Sequence, residues 1–114
     1  MKAIAQIWLQ QRDRAAITDA VDRLRAHFPV ERVVLFGSKA HGTDDAESDI
    51  DLLVLTSKRL DWRERDRITD ALFDVEMAHG VVLSTLVVSL DEWERGRAAI
   101  LPIHAEIEST GVLA

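Results

Sequence analysis

Two short apolar runs constrain this chain more than any other feature. Val33-Val34-Leu35-Phe36 stops at Gly37, and Ile50-Asp51-Leu52-Leu53-Val54-Leu55 follows after residues 37–49. Both runs are β-branched and aliphatic, are bounded by turn formers, and read as strands. The second has no polar residue beyond Asp51, which predicts burial on both faces. The segment from Gly37 to Glu47 carries Gly37, Gly42 and several acids, so it reads as a loop with one helical turn at Lys39-Ala40. A connection this short joins antiparallel neighbours, because a parallel return needs a full crossover.

The flanking segments supply helices and a further strand. Ile17, Ala20, Val21, Leu24 and Phe28 keep helical spacing until Pro29. Met1 to Gln10 has no clean period and reads as a helix or an extended arm. Trp62, Ile68, Ala71, Leu72, Val75 and Ala78 predict a helix that stops at Gly80. Val81 to Val88 predicts a third strand. Leu90-Asp91-Glu92-Trp93-Glu94 predicts a helix start capped by Asp91, with Glu94 three residues on. Pro102 suits the first position of a last helix, carrying Ile103 and Ile107 and closed by Gly111. The order predicts an α/β (α+β) domain, a small mixed sheet with helices packed on it in two layers. With 114 residues there is room for one core, so residues 1–114 are expected to form a single domain.

Composition narrows the chemistry. Cysteine is absent, which excludes disulfides, thiolate metal sites and a Cys nucleophile. No apolar run nears the ~18–20 residues of a membrane span, and no signal peptide is visible, so a cytoplasmic protein without a membrane partner is expected. Lys and Arg number 14 against 20 Asp and Glu, giving −6. Such a balance opposes direct tight nucleic-acid binding, which needs a basic face. Tyr is absent and Phe limited to three, which leaves little for base stacking.

The chemistry concentrates in Gly37-Ser38-Lys39-Ala40-His41-Gly42 and Ser48-Asp49-Ile50-Asp51. Gly37 after a strand lets backbone amides approach an anion, and the Ser38 hydroxyl can donate to a phosphate oxygen. Lys39-Ala40 can open a turn whose amides face the same anion. Asp49 and Asp51 are i and i+2 at a strand start, so both carboxylates lie on one side. Two adjacent carboxylates suit Mg²⁺, which takes one or two carboxylates plus substrate phosphates. Ser48 either caps the start of the strand or joins the phosphate-binding set. If the two strands are neighbours, the cradle and the metal ligands share one sheet end. Asp44, Asp45 and Glu47 would crowd the same end.

Strand-Gly-Ser-x-Ala-x-Gly-x5-Ser-Asp-Ile-Asp-Leu resembles the minimal nucleotidyltransferases of the DNA polymerase beta superfamily. The resemblance implies a nucleotidyltransferase fold with ATP as substrate. In it Gly37 and Ser38, with Lys39 and Ser48 nearby, would bind the triphosphate, and Asp49 and Asp51 would hold Mg²⁺. Two metals would then support in-line attack on the α-phosphorus, with pyrophosphate leaving. Active members carry a third carboxylate on a following strand. Here Ser84 or Thr85 stands about where it is expected, and Glu76 lies just upstream. Many relatives pair with a small helical HEPN-type toxin, an RNase that they neutralise, in some cases by transferring AMP to a Tyr on it. A hetero-oligomer with such a toxin is therefore expected. A catalytically inactive antitoxin acting by binding alone, and a small-molecule nucleotidyltransferase, remain as alternatives.

Other features have structural readings. Arg59, Arg63 and Arg67 at i, i+4 and i+8 read as a solvated, salt-bridged helix face. Trp8, Trp62 and Trp93 read as core or interface anchors. His79 beside Gly80 suits a helix C-terminus, His41 reads as a solvated loop residue, and neither His27 nor His104 has ligand spacing.

Overall fold

The computed structural model describes residues 1–43 and 48–114. Among these, ten elements follow in order: β1 (Lys2–Ala3), α1 (Gln11–His27), β2 (Val30–Phe36), α2 (Ser38–His41), β3 (Ile50–Thr56), α3 (Trp62–His79), β4 (Leu83–Ser89), α4 (Leu90–Arg95), α5 (Pro102–Thr110) and β5 (Val112–Leu113). Short 3-10 turns occupy Ile4–Gln6 and Arg97–Ile100. The strands form one mixed sheet in the order β1-β5-β2-β3-β4.

The expected β2–β3 pair is present and antiparallel, with Phe36 opposite Asp51. β4 joins β3 in parallel, with Ser84 beside Asp51. The crossover between them is α3, the length of connection that a parallel pair requires. Gly80 stops α3 in the left-handed conformation, at φ 68°.

Period two along β2 and β3 divides their apolar residues between two cores. Val33, Leu35, Ile50, Leu52 and Val54 pack against Ile17, Ala20 and Leu24 of α1 and Ile68, Leu72 and Val75 of α3. Val34, Leu53 and Leu55 point to the other face and meet Trp93, Ala98 and Ile107. Helices therefore cover both faces, and the domain has three layers where two were expected. Trp93 is the anchor of the second core. It is 2% exposed, its Nε1 donates to Glu108 Oε1 at 2.7 Å, and its ring lies 4.4 Å from that of His104.

Several local expectations need correction. The cap of α4 is Ser89, whose Oγ accepts from the Glu92 amide at 3.2 Å, rather than Asp91. A Ser at the strand end reaches back over the first turn, and Asp91 is already inside the helix. Trp8 and Trp62 are solvent-exposed, whereas Trp93 alone of the three tryptophans is buried. Arg59 lies before α3, whose cap is Asp61, so the helix carries only Arg63 and Arg67 of the expected row. The first ten residues run as an arm, held where the Arg14 guanidinium donates to the Ile4 and Ile7 carbonyls at 3.0 and 2.7 Å. β1 and β5 were not foreseen. β5 lies between β1 and β2, parallel to the first and antiparallel to the second. Among the described residues no helix is long and apolar enough to cross a membrane.

Removing the anchor tests the second core. Trp93→Ala is expected to lower unfolding free energy by about 3–5 kcal/mol in urea denaturation, and Trp93→Phe to retain most of it.

Candidate nucleotide and metal site

The site is assembled where β2 leaves the sheet and β3 enters it. Gly37 ends β2 at φ 74° and ψ −157°, a backbone conformation that side-chain-bearing residues avoid. A Cβ at this position would also overlap the Asp51 carboxylate. The dihedral requires glycine, and a side chain here would also displace the Asp51 carboxylate. The Gly37 carbonyl then accepts from the Ala40 and His41 amides at 3.1 and 3.2 Å, which folds residues 38–41 into α2. The amides of Ser38 and Lys39, first in that turn, have no intrahelical acceptor. The β2–β3 register brings this turn beside Asp49 and Asp51.

Asp49 is exposed and Asp51 half-buried. Burial pushes the Asp51 carboxyl above the ordinary carboxylate value of 3.8, and the negative charge of Asp49 adds to the rise. The Ser84 hydroxyl donates to Asp51 and opposes both effects. Two carboxylates side by side at a strand start are a fitting partial ligand set for a hard dication. Such a cation takes its remaining oxygens from water and phosphate. Among the described residues no group of three His, Cys, Asp or Glu is placed to hold a metal. Ser48 is half-buried at the foot of β3.

The β3–β4 register resolves the position expected for a third carboxylate. Ser84 pairs with Asp51 and shares its face, whereas Thr85 pairs with Leu52 and faces the other way. The Glu76 carboxylate is engaged elsewhere, accepting from the Leu83 amide at 2.9 Å. His41 is exposed, with Nε2 3.4 Å from Thr110 Oγ1, a contact between α2 and α5. Asp44, Asp45 and Glu47 lie outside the described residues.

Lys39 has a different setting from its neighbours. It is 1% exposed, and its ammonium sits 2.8 Å from Asp13 Oδ2, itself in a side chain 1% exposed. The ammonium is thus turned inward, where it fastens α2 to the first turn of α1. Sequence reasoning missed Asp13. Its signal was spacing: Asp13, Ile17, Ala20 and Leu24 form one helical stripe, so the acid heads an otherwise apolar face.

Residues 19–93 match the family described as polymerase beta, nucleotidyltransferase, and the chain belongs to that family. Two proteins of Methanocaldococcus jannaschii, both named for protein adenylyltransferase activity, are similar to it. One is 31% identical over 51% of this chain and 59% of its own length. The other is 29% identical over 68% of this chain and 74% of its own length. The chain therefore spans little more than half of the first relative. Solved structures share the fold at low identity. A toxin–antitoxin complex with AMP-PNP superposes with TM-score 0.60 at 20% identity, covering 84% of this chain and 69% of that one. A nucleotidyltransferase of Sulfolobus solfataricus gives 0.54 at 20% identity, covering 95% and 89%. The complex of an MNT antitoxin with the tri-AMPylated HEPN toxin of Shewanella oneidensis gives 0.54 at 19% identity, covering 88% and 69%. The chain is thus a nucleotidyltransferase-fold protein similar to the MNT antitoxins of toxin–antitoxin pairs.

Two measurements test the site's electrostatics. Lys39→Met leaves the buried Asp13 carboxylate only the more distant Arg12 guanidinium, at 3.7 Å, and is expected to cost about 3–5 kcal/mol, while the Asp13→Leu/Lys39→Met pair recovers most of that loss in urea denaturation. For Asp51 the folded-state proton affinity exceeds the unfolded one, so its ionisation opposes folding. That penalty is absent below pH 3.8 and complete above the raised folded value. Asp51→Asn is therefore expected to raise the melting temperature at pH 7, with the gain shrinking as pH falls toward 3.8.

Proposed function

We propose that this protein is a cytoplasmic Mg²⁺-dependent nucleotidyltransferase of the antitoxin type. It binds ATP at the end of β2 and β3 and neutralises a HEPN-type RNase partner by transferring AMP to a hydroxyl of that partner. What supports this is one juxtaposition: the Gly37-Ser38 turn and the Asp49/Asp51 pair share a sheet end. Gly37 and Ser38, with Ser48 at the foot of β3, present donors to the triphosphate. Asp49 and Asp51 would hold Mg²⁺, which when bound neutralises phosphate charge and polarises the α-phosphorus. Lys39 acts from behind, keeping the donor turn in place through Asp13. The names of the two archaeal relatives support a protein acceptor. So does the tri-AMPylated Shewanella oneidensis toxin. The net charge of −6 suits a basic RNA-binding face on that partner.

A specific observation favours a second reading. Ser84 occupies the position beside Asp51, and a neutral hydroxyl is a weak Mg²⁺ ligand and no general base. An antitoxin acting by binding alone would need no third acid. The experiment is incubation of the chain and its co-expressed helical partner with Mg²⁺ and α-labelled ATP. Label is expected on the partner, and Asp49→Asn with Asp51→Asn is expected to reduce it at least 100-fold, the order lost with one such electrostatic group. Neutralisation without label, undiminished in that double variant, would instead establish the binding-only reading.

A further inference from the structure

The second concentration of charge lies at the other end of the parallel pair. β3 and β4 finish at Thr56 and Ser89, and there the surface opens into a cavity of about 620 Å³. Ligands of open α/β sheets commonly bind outside the carboxyl ends of parallel strands. Asp51 is five residues back along β3, about 17 Å at the rise of a strand.

Arg59, Arg65 and Arg97 line this cavity, with Glu92 as its one acid. The local balance is positive in a chain of net charge −6. The three guanidinia come from separate places: the turn after β3, the first turn of α3, and the 3-10 turn after α4. Arg65 is steadied by its Nη1, which donates to the Val87 carbonyl at 3.1 Å and leaves further N–H groups to face the cavity. Glu92 is partly engaged, since its Oε1 accepts from the Arg97 amide at 2.9 Å. Among the described residues no carboxylate forms an ion pair with any of the three arginines. Ser89 Oγ accepts from the Glu92 amide, so its own hydrogen is free to donate into the cavity.

The remaining wall is apolar, made by Val87, Ala98 and Leu101. Guanidinia match phosphate oxygens in geometry and charge. The volume lies in the range of pockets for whole small molecules and exceeds what an inorganic anion would fill. We propose that this cavity is a second, metal-independent binding site for a phosphate-bearing ligand of nucleotide size. The phosphate lies against Arg59, Arg65 and Arg97, and an organic body rests on the Val87–Leu101 wall. The site stands whether or not Asp49 and Asp51 hold a metal.

The test is calorimetric titration of AMP, with tripolyphosphate alongside, into the full chain in EDTA. AMP is expected to bind in the absence of divalent cations, and more tightly than tripolyphosphate. Arg59→Ala with Arg97→Ala should weaken AMP binding by about tenfold or more, since each charge-assisted hydrogen bond is worth about that factor. Its melting temperature should be unchanged, because both side chains are exposed. Asp49→Asn with Asp51→Asn should leave the affinity intact. Arg63→Ala with Arg67→Ala, which removes two exposed arginines outside the cavity, should also leave it intact. Absence of AMP binding, equal weakening by the two arginine pairs, tripolyphosphate binding as tightly as AMP, or loss in the aspartate variant would each overturn the proposal.

Discussion

The buried pair of Lys39 and Asp13 is the interaction on which the functional end of this fold depends. A charge removed from water is tolerated only when its partner is close, and here the ammonium and carboxylate oxygen are 2.8 Å apart with both side chains fully enclosed. That requirement ties α2 to the first turn of α1. α2 in turn begins at Gly37, whose backbone conformation leaves just enough room for the Asp51 carboxylate. The pair lies behind the donor turn and sets its position. Its contribution is specificity of placement more than net stability, since an apolar pair of similar volume would hold the helices together as well.

The central pair of strands was legible because unbroken apolar runs of strand length have few other ways to be buried, and the short connection left one direction of pairing. Gly80 and Pro102 were legible for local reasons, as residues whose backbone suits one place in a helix. The juxtaposition of Gly37-Ser38 with Asp49 and Asp51 followed from those strands. What remained hidden depended on tertiary contact. Trp62 and Trp93 look alike in sequence, yet only Trp93 meets the second face of the sheet. Strands of two residues, such as β1 and β5, carry no periodicity to read. Lys39, beside a glycine and a serine, had every local mark of a phosphate ligand. Its inward direction is set by an acid 26 positions earlier, and nothing in its own segment discloses that.

The sheet is electrostatically polar from end to end. Carboxylates gather where β3 begins, and guanidinia gather where β3 and β4 finish. Between them β3 carries only Leu52, Leu53, Val54 and Leu55, all buried. The edge of the sheet is managed from α3. Glu76 takes the Leu83 amide and Arg65 the Val87 carbonyl, so side chains of one helix occupy outward-facing groups at both ends of β4. This limits the strand's capacity to recruit a foreign strand while leaving its middle accessible.

The position of β5 has a consequence for the order of assembly. Its residues Val112 and Leu113 leave the ribosome after the rest of the sheet, yet they occupy a place between β1 and β2. Until they arrive, the amino-terminal arm has no strand to lie against and one edge of β2 stays bare. The amino-terminal border of the sheet is completed by a strand from the other end of the chain, wedged between β1 and β2. The two ends of the described chain thus share one border of the sheet, and a chain lacking Val112 and Leu113 would leave that flank of β2 unpaired.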